Sequence, residues 1–410
     1  MAPARVESPQ AVTPGRIPPN VVALGWTSLL TDVSTEMLTP ILPLFVTVTL
    51  GASVVSLGVI EGVAECAASV LRLSSGWLSD RMGRRKPFAV FGYALSGAAK
   101  TSMALASTWG FVLGMRFTDR LGKALRTPAR DALLADSVAP ADLGRAFGLH
   151  RAMDTLGAAI GPLLGWWLLS HWQRLGSEGY RRIFLVSGIP ALLSVLVLAL
   201  IVKAAPAAPR IARSVRHQAG ALGPAFRRFL IVDAVFQLGN SSNAFVLLRT
   251  QSAGWSAGQV SLVYLAYNVA FALLALPFGR LSDRVGRRPL LWAAYAAYAA
   301  SYSMLALHAT RWGVVAAFLL LALHSALMDG QAKSLIADLV PRDLRATAYG
   351  VHATVAGLAL LPASIVAGAL WEGAGPAVTF LLGAALAAVA ALLLAVLLPA
   401  SREWGDRHAA

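Results

Sequence analysis

The chain has 410 residues, of which 57% are hydrophobic and only 13% are charged, and its formal net charge is +15. Soluble domains carry about 25% charged residues, so this composition excludes an ordinary soluble fold and indicates many membrane spans. The single cysteine, Cys66, excludes an internal disulfide and any cysteine-based metal cluster.

The amino-terminal residues 1–20 are polar and rich in proline, which predicts a short disordered tail. Hydropathy then predicts twelve helices, each long enough to cross a hydrocarbon core of about 30 Å. They lie near 22–48, 54–78, 88–107, 110–135, 144–170, 182–202, 229–249, 258–279, 289–308, 313–338, 346–371 and 377–399. The segment 203–228 is basic and rich in Ala, Pro and Gly, so we expect a linker between bundles at 21–202 and 229–399, with a tail at 400–410.

Two explanations compete for the basic charge, namely a nucleic-acid surface and the cytoplasmic loops of a membrane protein. With the amino terminus inside, the Lys and Arg residues outside the spans concentrate on the side that holds the termini and the linker. The other side has only five, at Arg174, Arg181, Arg182, Arg249 and Arg311. This asymmetry favours a membrane protein with both termini in the cytoplasm and makes nucleic-acid binding unexpected.

The amino-terminal half holds carboxylates and cations inside predicted spans. Asp32 and Glu36 are four residues apart in helix 1, and helix 2 adds Glu61 and Glu65. In helix 4 the stretch RFTDRLGKALRTPARD carries seven charges, which fall within an arc of about 140° at roughly 100° per residue. A charge in the bilayer centre is costly unless it faces protein or water, so this face must look into a polar interior.

These charges predict a proton-coupling site. Burial favours the neutral form of a carboxyl group and a nearby cation favours its charged form, so a cation that moves would load or release a proton. The alternative is a permanent network of structural ion pairs. The proton-coupling residues that we consider are Asp32, Glu36, Glu61, Glu65, Arg116, Asp119, Arg120, Lys123 and Asp154.

The carboxy-terminal half instead carries neutral polar and aromatic groups in its spans. Such groups suit an organic substrate with polar handles. The residues that we expect to line a substrate cavity are Gln237, Asn240, Asn243, Tyr264, Tyr267, Asn268, Asp329 and Lys333. Histidines at equivalent places, His150 and His352, are expected to bridge or cap helices, with pH sensing as the alternative.

The chain contains an internal repeat. The stretch GWLSDRMGRR at 76–85 returns as GRLSDRVGRR at 279–288, with eight of ten positions identical and an offset of 203 residues. A second echo joins 134–150 to 336–352. One six-helix unit is therefore duplicated, as in many transporters.

These motifs resemble the Major Facilitator Superfamily over roughly residues 20–400. The family's loop signature between helices 2 and 3 matches Gly76, Leu78, Asp80, Arg81, Gly83, Arg84 and Arg85, and its second copy matches Gly279, Leu281, Asp283, Arg284, Gly286, Arg287 and Arg288. GAAIGPLLG, with Gly157, Gly161, Pro162 and Gly165, resembles the antiporter motif of the drug:proton branches.

The resemblance implies an all-α polytopic protein with two pseudo-symmetric six-helix bundles around a central cavity lined by helices 1, 4, 7 and 10. It also implies that the two signature loops act in gating. We expect a secondary active transporter, a proton-coupled exporter of a small organic compound that works by alternating access. An importing symporter or uniporter is the alternative, and a membrane receptor without transport is a further one.

We expect a monomer in the inner membrane of a bacterium, in contact with lipid, substrate and protons. No ATP-binding P-loop pattern, catalytic constellation or metal-ligand spacing occurs in the sequence. The expected energy source is therefore the proton gradient, and we expect no enzymatic activity, cofactor or bound metal.

Overall fold

The computed structural model describes residues 17–82, 85–139, 142–203, 222–341 and 344–398, with side chains throughout except at 72–82, 173, 283 and 346. Every regular element in these ranges is helical. Long apolar segments form helices in a bilayer because each helix satisfies its own backbone hydrogen bonds.

Six spans form the amino-terminal half. They are α1 (Pro19–Leu38, continued by Leu42–Leu44 and a π-helical segment Phe45–Thr49), α2 (Val54–Met82), α3 (Arg85–Ser102, continued by a 3₁₀ turn Met103–Leu105), α4 (Trp109–Asp136), α5 (Leu143–His171) and α6 (Ser177–Leu200).

Six further spans form the carboxy-terminal half. They are α7 (two segments, Pro224–Gly239 and Asn243–Ser252), α8 (Ala257–Val285), α9 (Arg287–Leu307), α10 (Arg311–Leu339), α11 (Arg345–Ala374) and α12 (Pro376–Leu397).

The helices begin at residues that suit helix starts. Pro19 and Pro224 occupy the first turn, where the missing N–H has no intrahelical partner to lose. Ser256 caps α8 through a capping box with Gln259. Thr108 accepts a hydrogen bond from the Phe111 N–H at the start of α4.

Ten of the spans in the described ranges are long and apolar enough to cross a membrane. The other two helices, α3 and α4, carry more charged residues than such a span normally tolerates, because α4 holds the charged face and α3 holds Arg85, Lys86 and Lys100. The all-α polytopic fold predicted from the sequence is confirmed.

The two halves repeat one packing scheme. In the amino-terminal half α1 packs on α5 and α6, and α4 packs on α2 and α3; in the other half α10 packs on α8 and α9 in the same way. The helix starts repeat too, with an offset of 203 residues from Val54 to Ala257 and of 202 from Trp109 to Arg311. Each half has its own buried core, such as the one around Phe236, Tyr295 and Tyr298.

The halves meet along α2 with α11 and along α5 with α8. We call the end of the protein that carries the connection between α6 and α7 the linker end, and the other end the opposite end. At the opposite end the Val55 N–H donates to Glu372 Oε1 at 3.2 Å, and the Val54 N–H donates to the same atom. A Cβ on Gly58 would lie 2.2 Å from the Ser364 carbonyl oxygen. The opposite end is therefore closed by direct contact.

Three predicted boundaries differ from the structure. Span 7 was expected to be continuous over 229–249, yet its helix stops at Gly239 and restarts at Asn243. It also begins at Pro224, inside the segment 203–228 that we expected as linker, because Gly223 and Pro224 form a helix start. The first helix begins at Pro19, inside the expected tail 1–20.

Candidate functional site

Two acidic residues of α2 face two arginines of α4 in register. Glu61 and Glu65 are four residues apart, as are Arg116 and Arg120, so each pair lies on one face of its helix. Arg116 Nη2 donates to both carboxylate oxygens of Glu61, at 2.7 Å and 2.9 Å. Arg120 Nη2 lies 2.8 Å from Glu65 Oε1. Two parallel ion pairs therefore join α2 to α4 inside the amino-terminal half.

Helix α3 completes this charged network. Ser96 Oγ donates to Asp119 Oδ1 at 2.5 Å, and Arg116 Nη1 lies 3.5 Å from Asp119 Oδ2. Lys100 is only 3% exposed and its Nζ donates to Thr35 Oγ1 of α1 at 2.9 Å. A buried charge is stable only when it is paired or hydrogen-bonded, and these contacts supply the partners. The sequence placed Lys100 in helix 3 but gave no sign of its partner.

The two carboxylates of α1 differ in their partners. Glu36 Oε2 accepts a hydrogen bond of 2.8 Å from the Tyr264 hydroxyl of α8. Asp32 makes no hydrogen bond and no ion pair with any residue that the structure describes. The charged groups within electrostatic range of Asp32 include Asp154, Glu36, Arg126, Lys123 and Lys100.

Glycines of α5 bring the backbone of α1 close at these two carboxylates. A Cβ on Gly157 would lie 3.0 Å from the Asp32 Cβ, and one on Gly161 would lie 2.9 Å from the Glu36 Cβ. Glycines four residues apart allow two helices to pack backbone to backbone. The pair therefore fixes α1 against α5 at the depth of both acidic side chains.

Two of the hydrogen bonds that join the halves in the described ranges have a carboxylate of the amino-terminal half as acceptor. Tyr264 donates to Glu36, and Ser242 Oγ lies 3.3 Å from Glu61 Oε2. Ser242 reaches Glu61 because it caps the second segment of α7, at the break that the sequence analysis missed. The run of Gly, Asn and Ser residues from Gly239 to Asn243 was a signal that could have revealed the break.

Comparison with known proteins fits this architecture of paired bundles. The family model of the Major Facilitator Superfamily matches residues 24–248 and 229–410. The chain belongs to the Major Facilitator Superfamily. It is therefore a membrane transporter, and the MFS fold accounts for its two six-helix halves.

The chain is similar to some proteins over nearly its full length and to others over about a third of it. The chain is 34% identical over 381 residues to the uncharacterized MFS-type transporter MJ1317 of Methanocaldococcus jannaschii, covering 92% of this chain and 94% of that one. It is 32% identical over 140 residues to the multidrug resistance protein MdtH of Salmonella arizonae, covering 34% of each. These matches show an MFS transporter, with a drug-resistance protein among its partial relatives.

Solved MFS structures share the fold. The nucleoside transporter NupG aligns with a TM-score of 0.75 at 16% identity, covering 93% of this chain and 99% of that one. A POT family transporter in complex with 5-aminolevulinic acid aligns with a TM-score of 0.79 at 13% identity, covering 95% and 97%. At such identities the likeness concerns the fold alone.

Each MFS loop signature contributes one arginine to an ion pair, although Arg85 is the last signature residue and Arg287 is the last but one of its copy. Arg85 pairs with Asp136 and Arg287 pairs with Asp338, so in each half the start of the third helix is tied to the end of the fourth. Gly286 has φ of 89° and ends α8 where a side chain would be strained. Arg288 Nη2 donates to the Leu394 carbonyl oxygen at 3.0 Å, Arg284 is exposed, and a Cβ added at Gly279 would meet open space. The side chains of Gly76, Asp80, Arg81, Gly83, Arg84 and Asp283 lie outside the described residues.

The rest of the antiporter-like motif lies in the same interface of α5 with α1. Pro162 and Gly165 are buried, and a Cβ on Gly165 would lie 3.1 Å from the Met37 carbonyl oxygen. On the side of α5 toward the linker end, His150 Nδ1 lies 3.5 Å from Asp154 Oδ2. Asp154 therefore has a partner within its own helix.

The predicted substrate-cavity residues fall into three groups. Tyr264 and Asn268 lie at the contact between the halves, where Asn268 Nδ2 donates to the Ala158 carbonyl oxygen at 2.9 Å. Others are bonded within the carboxy-terminal half, as Tyr267 is to Ser325 at 3.0 Å. In the same half Asn240 Nδ2 donates to Gln237 Oε1 at 2.9 Å, and Lys333 Nζ donates to Asp329 Oδ1 at 3.2 Å. The side chain of Asn243 is exposed.

The linker end is solvated where these last charges lie. Arg151, Asp329 and Lys333 are 62%, 51% and 67% exposed, and Arg151 of α5 lies 3.7 Å from Asp329 of α10. The halves therefore meet through buried, close backbone contacts at the opposite end and through solvated charged side chains at the linker end.

The sequence analysis missed a buried acid–base pair in the carboxy-terminal half. Asp233 of α7 is fully buried, and His352 Nε2 of α11 lies 3.0 Å from its Oδ2. The His352 ring stacks on Phe229, with ring centroids 6.0 Å apart. Here His352 bridges two helices, the arrangement expected for the paired histidines. The tyrosines of α9 are buried around the same core.

Proposed function

We propose that this MFS transporter is a proton-coupled antiporter that exports a small organic compound by alternating access. The observation that carries the proposal is the hydrogen bond between Tyr264 of one half and Glu36 of the other. It makes the charge of a membrane-embedded carboxylate part of the contact between the halves.

The proton would act on this contact as follows. An ionised Glu36 accepts a charge-assisted hydrogen bond, which is roughly twice as strong as a neutral one, and so holds the halves in the state that is open to the linker end. Protonation removes that charge and weakens the bond. A substrate that contacts the same group would do likewise. An empty, deprotonated carrier therefore stays where it is, which is the condition for exchange rather than leak.

The other ion pairs form a fixed frame around this group. Glu61 and Glu65 are each bonded to an arginine of the same half, so their charges are balanced in place. Glu36 differs because its hydrogen-bond partner is a neutral hydroxyl on the opposite half. Among the carboxylates of the network, Glu36 is therefore the one that we propose carries the transported proton.

The direction of transport follows from the orientation. The excess of Lys and Arg near the termini and the linker supports a cytoplasmic linker end, in the inner membrane of a bacterium. The open side then loads substrate from the cytoplasm, and the proton is released there. The partial match to a multidrug resistance protein supports export.

Transport in inverted membrane vesicles tests the proposal. With an imposed pH difference, acid inside, wild-type protein is expected to accumulate at least one compound from a chemically diverse panel. Glu36→Gln is expected to retain downhill exchange and to lose accumulation. Glu178→Gln, at an exposed carboxylate of α6, is the matched control and is expected to behave as wild type.

Three outcomes would contradict the proposal. Accumulation by Glu36→Gln that equals wild type would remove the coupling role of this residue. Accumulation only in right-side-out vesicles with acid outside would indicate a symporter that imports. Binding of a compound with no movement across the membrane would indicate a receptor.

A further inference from the structure

We infer that the substrate is a zwitterion, bound between Asp32 of α1 and Lys123 of α4. The inference rests on the proposed transport function and adds the chemical class of its substrate. Most charged side chains of the amino-terminal half already form ion pairs or hydrogen bonds with other protein groups, and a few do not.

The satisfied charges have direct partners. Glu61, Glu65 and Asp119 bind arginines, Glu36 accepts from Tyr264, and Lys100 donates to Thr35. Arg130 lies 2.8 Å from Asp131 and donates to Ser28, and Asp154 lies beside His150.

Two opposite charges lack such partners. Neither the carboxylate of Asp32 nor the ammonium of Lys123 makes a hydrogen bond or an ion pair within the part of the chain that the structure describes. Each lies within electrostatic range of the other but beyond direct contact. Both are partly accessible although they lie near the middle of their helices. Each of these side chains must therefore contact water or a ligand, because bare charges in a membrane span are costly.

A third group strengthens the cationic side. Arg126, one turn after Lys123, is 7% exposed, its guanidinium lies 4.5 Å from the Tyr93 ring centroid, and its Nη1 has no hydrogen-bond partner in the described ranges. Arg126 and Lys123 both lie within electrostatic range of Asp32. The local arrangement is thus one carboxylate without a direct partner and two cations within electrostatic range of it.

The two ends of a zwitterion match this arrangement. An ammonium would bind Asp32 and a carboxylate would bind Lys123, with the buried charge of Arg126 adding to the positive potential on that side. A simple cation would leave Lys123 unpaired, and a simple anion would leave Asp32 unpaired. Either unpaired charge lowers the binding affinity, so the site would discriminate against both kinds of ligand.

An aromatic wall lies beside the proposed site. Glu36, one turn from Asp32, is bonded to Tyr264, whose ring stacks on Tyr267 with centroids 5.8 Å apart. Aromatic faces suit the apolar body of a small ligand. The ligand class is therefore an amino-acid-like zwitterion with an apolar side group. Contact with this wall would also place it beside the Glu36–Tyr264 bond.

The test uses matched sets of three compounds and the intact protein. Each set contains an amino acid, the amine that lacks its carboxylate and the acid that lacks its amino group, in one aliphatic and one aromatic version. Binding is measured by thermal stabilisation of the purified protein and by counterflow in proteoliposomes. In at least one set the zwitterion is expected to bind 10-fold or more tighter than either single-charge analogue.

Variants should then change selectivity in opposite directions. Asp32→Asn is expected to bind the acid about as well as the zwitterion, and Lys123→Met is expected to bind the amine about as well as the zwitterion. Lys86→Met, whose ammonium donates to the Ala199 carbonyl at the linker end, is the control and should keep wild-type selectivity.

Several results would overturn the inference. If the amine binds as tightly as the zwitterion in wild type, the ligand is a cation, and if the acid does so, it is an anion. If no compound of any set binds while other compounds still show proton-driven transport, the proposed function stands and the zwitterion site is wrong. If no compound is moved by a proton gradient, the proposed function itself fails. The wild-type comparison needs no variant, so poor folding of a variant does not weaken the test.

Discussion

The two halves of this transporter share a scaffold but carry different chemistry at equivalent positions. Glu61 and Glu65 of α2 correspond to Tyr264 and Asn268 of α8 at an offset of 203 residues. At an offset of 202, Arg116 and Arg120 of α4 correspond to Phe318 and Ala322 of α10. The amino-terminal half therefore holds ion pairs where the carboxy-terminal half holds neutral and apolar groups.

What the halves share is the attachment of helices at the linker end. In each half an arginine at the start of the third helix pairs with an aspartate at the end of the fourth, Arg85 with Asp136 and Arg287 with Asp338. The duplicated unit thus kept its structural ion pairs, while its interior diverged. The difference teaches that this helix arrangement does not itself call for charges at these positions, since the carboxy-terminal half has the same arrangement with neutral and apolar groups there.

The links between the halves follow the same symmetry. Glu61 of α2 reaches Ser242 at the break of α7, and Tyr264, its counterpart in α8, reaches Glu36 of α1. In both links the acceptor is a carboxylate of the amino-terminal half. At the opposite end, by contrast, the charged acceptor is Glu372 of the carboxy-terminal half.

The largest loss of stability is expected when one ion pair of the amino-terminal half is broken. Glu61→Gln removes the charge that balances Arg116, and loss of one partner from a buried ion pair costs about 3–5 kcal/mol. The counterpart change Tyr264→Phe removes one hydrogen bond to a charged group, worth about 1.5–3 kcal/mol. Thermal unfolding of both variants in detergent measures the difference.

A second substitution serves as the control for this effect. Adding Arg116→Met to Glu61→Gln removes both charges and should recover much of the lost stability. If Glu61→Gln alone is no less stable than Tyr264→Phe, the ion pairs are not the stabilising frame that we describe.

A smaller effect is expected where α5 packs on α1. Gly161→Ala places a Cβ 2.9 Å from the Glu36 Cβ and from the Met37 amide nitrogen, and overpacking of this kind costs about 1–3 kcal/mol. The equivalent position in α11 already holds alanine, Ala363. Gly148→Ala, on the same helix with nothing within 4 Å, is the control and should be neutral or stabilising by up to about 1 kcal/mol. Equal unfolding temperatures for the two variants would show that the close approach is unimportant.

The smallest loss of stability is expected at the ion pairs Arg85–Asp136 and Arg287–Asp338. Asp136 and Asp338 are 51% and 52% exposed, so each ion pair contributes at most about 1 kcal/mol. Asp136→Asn and Asp338→Asn should lower the unfolding temperature slightly and by the same amount. A large effect of one and none of the other would mean that the two ion pairs are not equivalent.

The fold could be predicted from the sequence because both of its signals are local. Long apolar runs predict the membrane spans, and the repeated GxLSDRxGRR motif predicts two similar halves. The charges of α4 were recognised as interior because no other position in a membrane is tolerable for them. Their pairing was not, since Arg116 could face any of several carboxylates until helix rotation and depth are known. The contacts of Glu36 with Tyr264 and of Asp233 with His352 join residues more than one hundred positions apart, and no local pattern reports such distances. The turn-forming residues of α7 could have predicted its break, but the apolar residues on both sides favoured a continuous helix.

The central claim is that the charge on Glu36 controls the contact between the halves. Double electron–electron resonance between spin labels on cysteines introduced at Ser53 and Gly373, with Cys66 replaced by serine, measures the opening of the opposite end directly. In wild type, acidification is expected to increase the population with the longer distance, because a protonated Glu36 holds Tyr264 less strongly. In Glu36→Gln the longer-distance population should be raised at every pH and should not respond to acid. A wild-type distance distribution that does not change with pH, or an unchanged acid response in Glu36→Gln, would contradict the account.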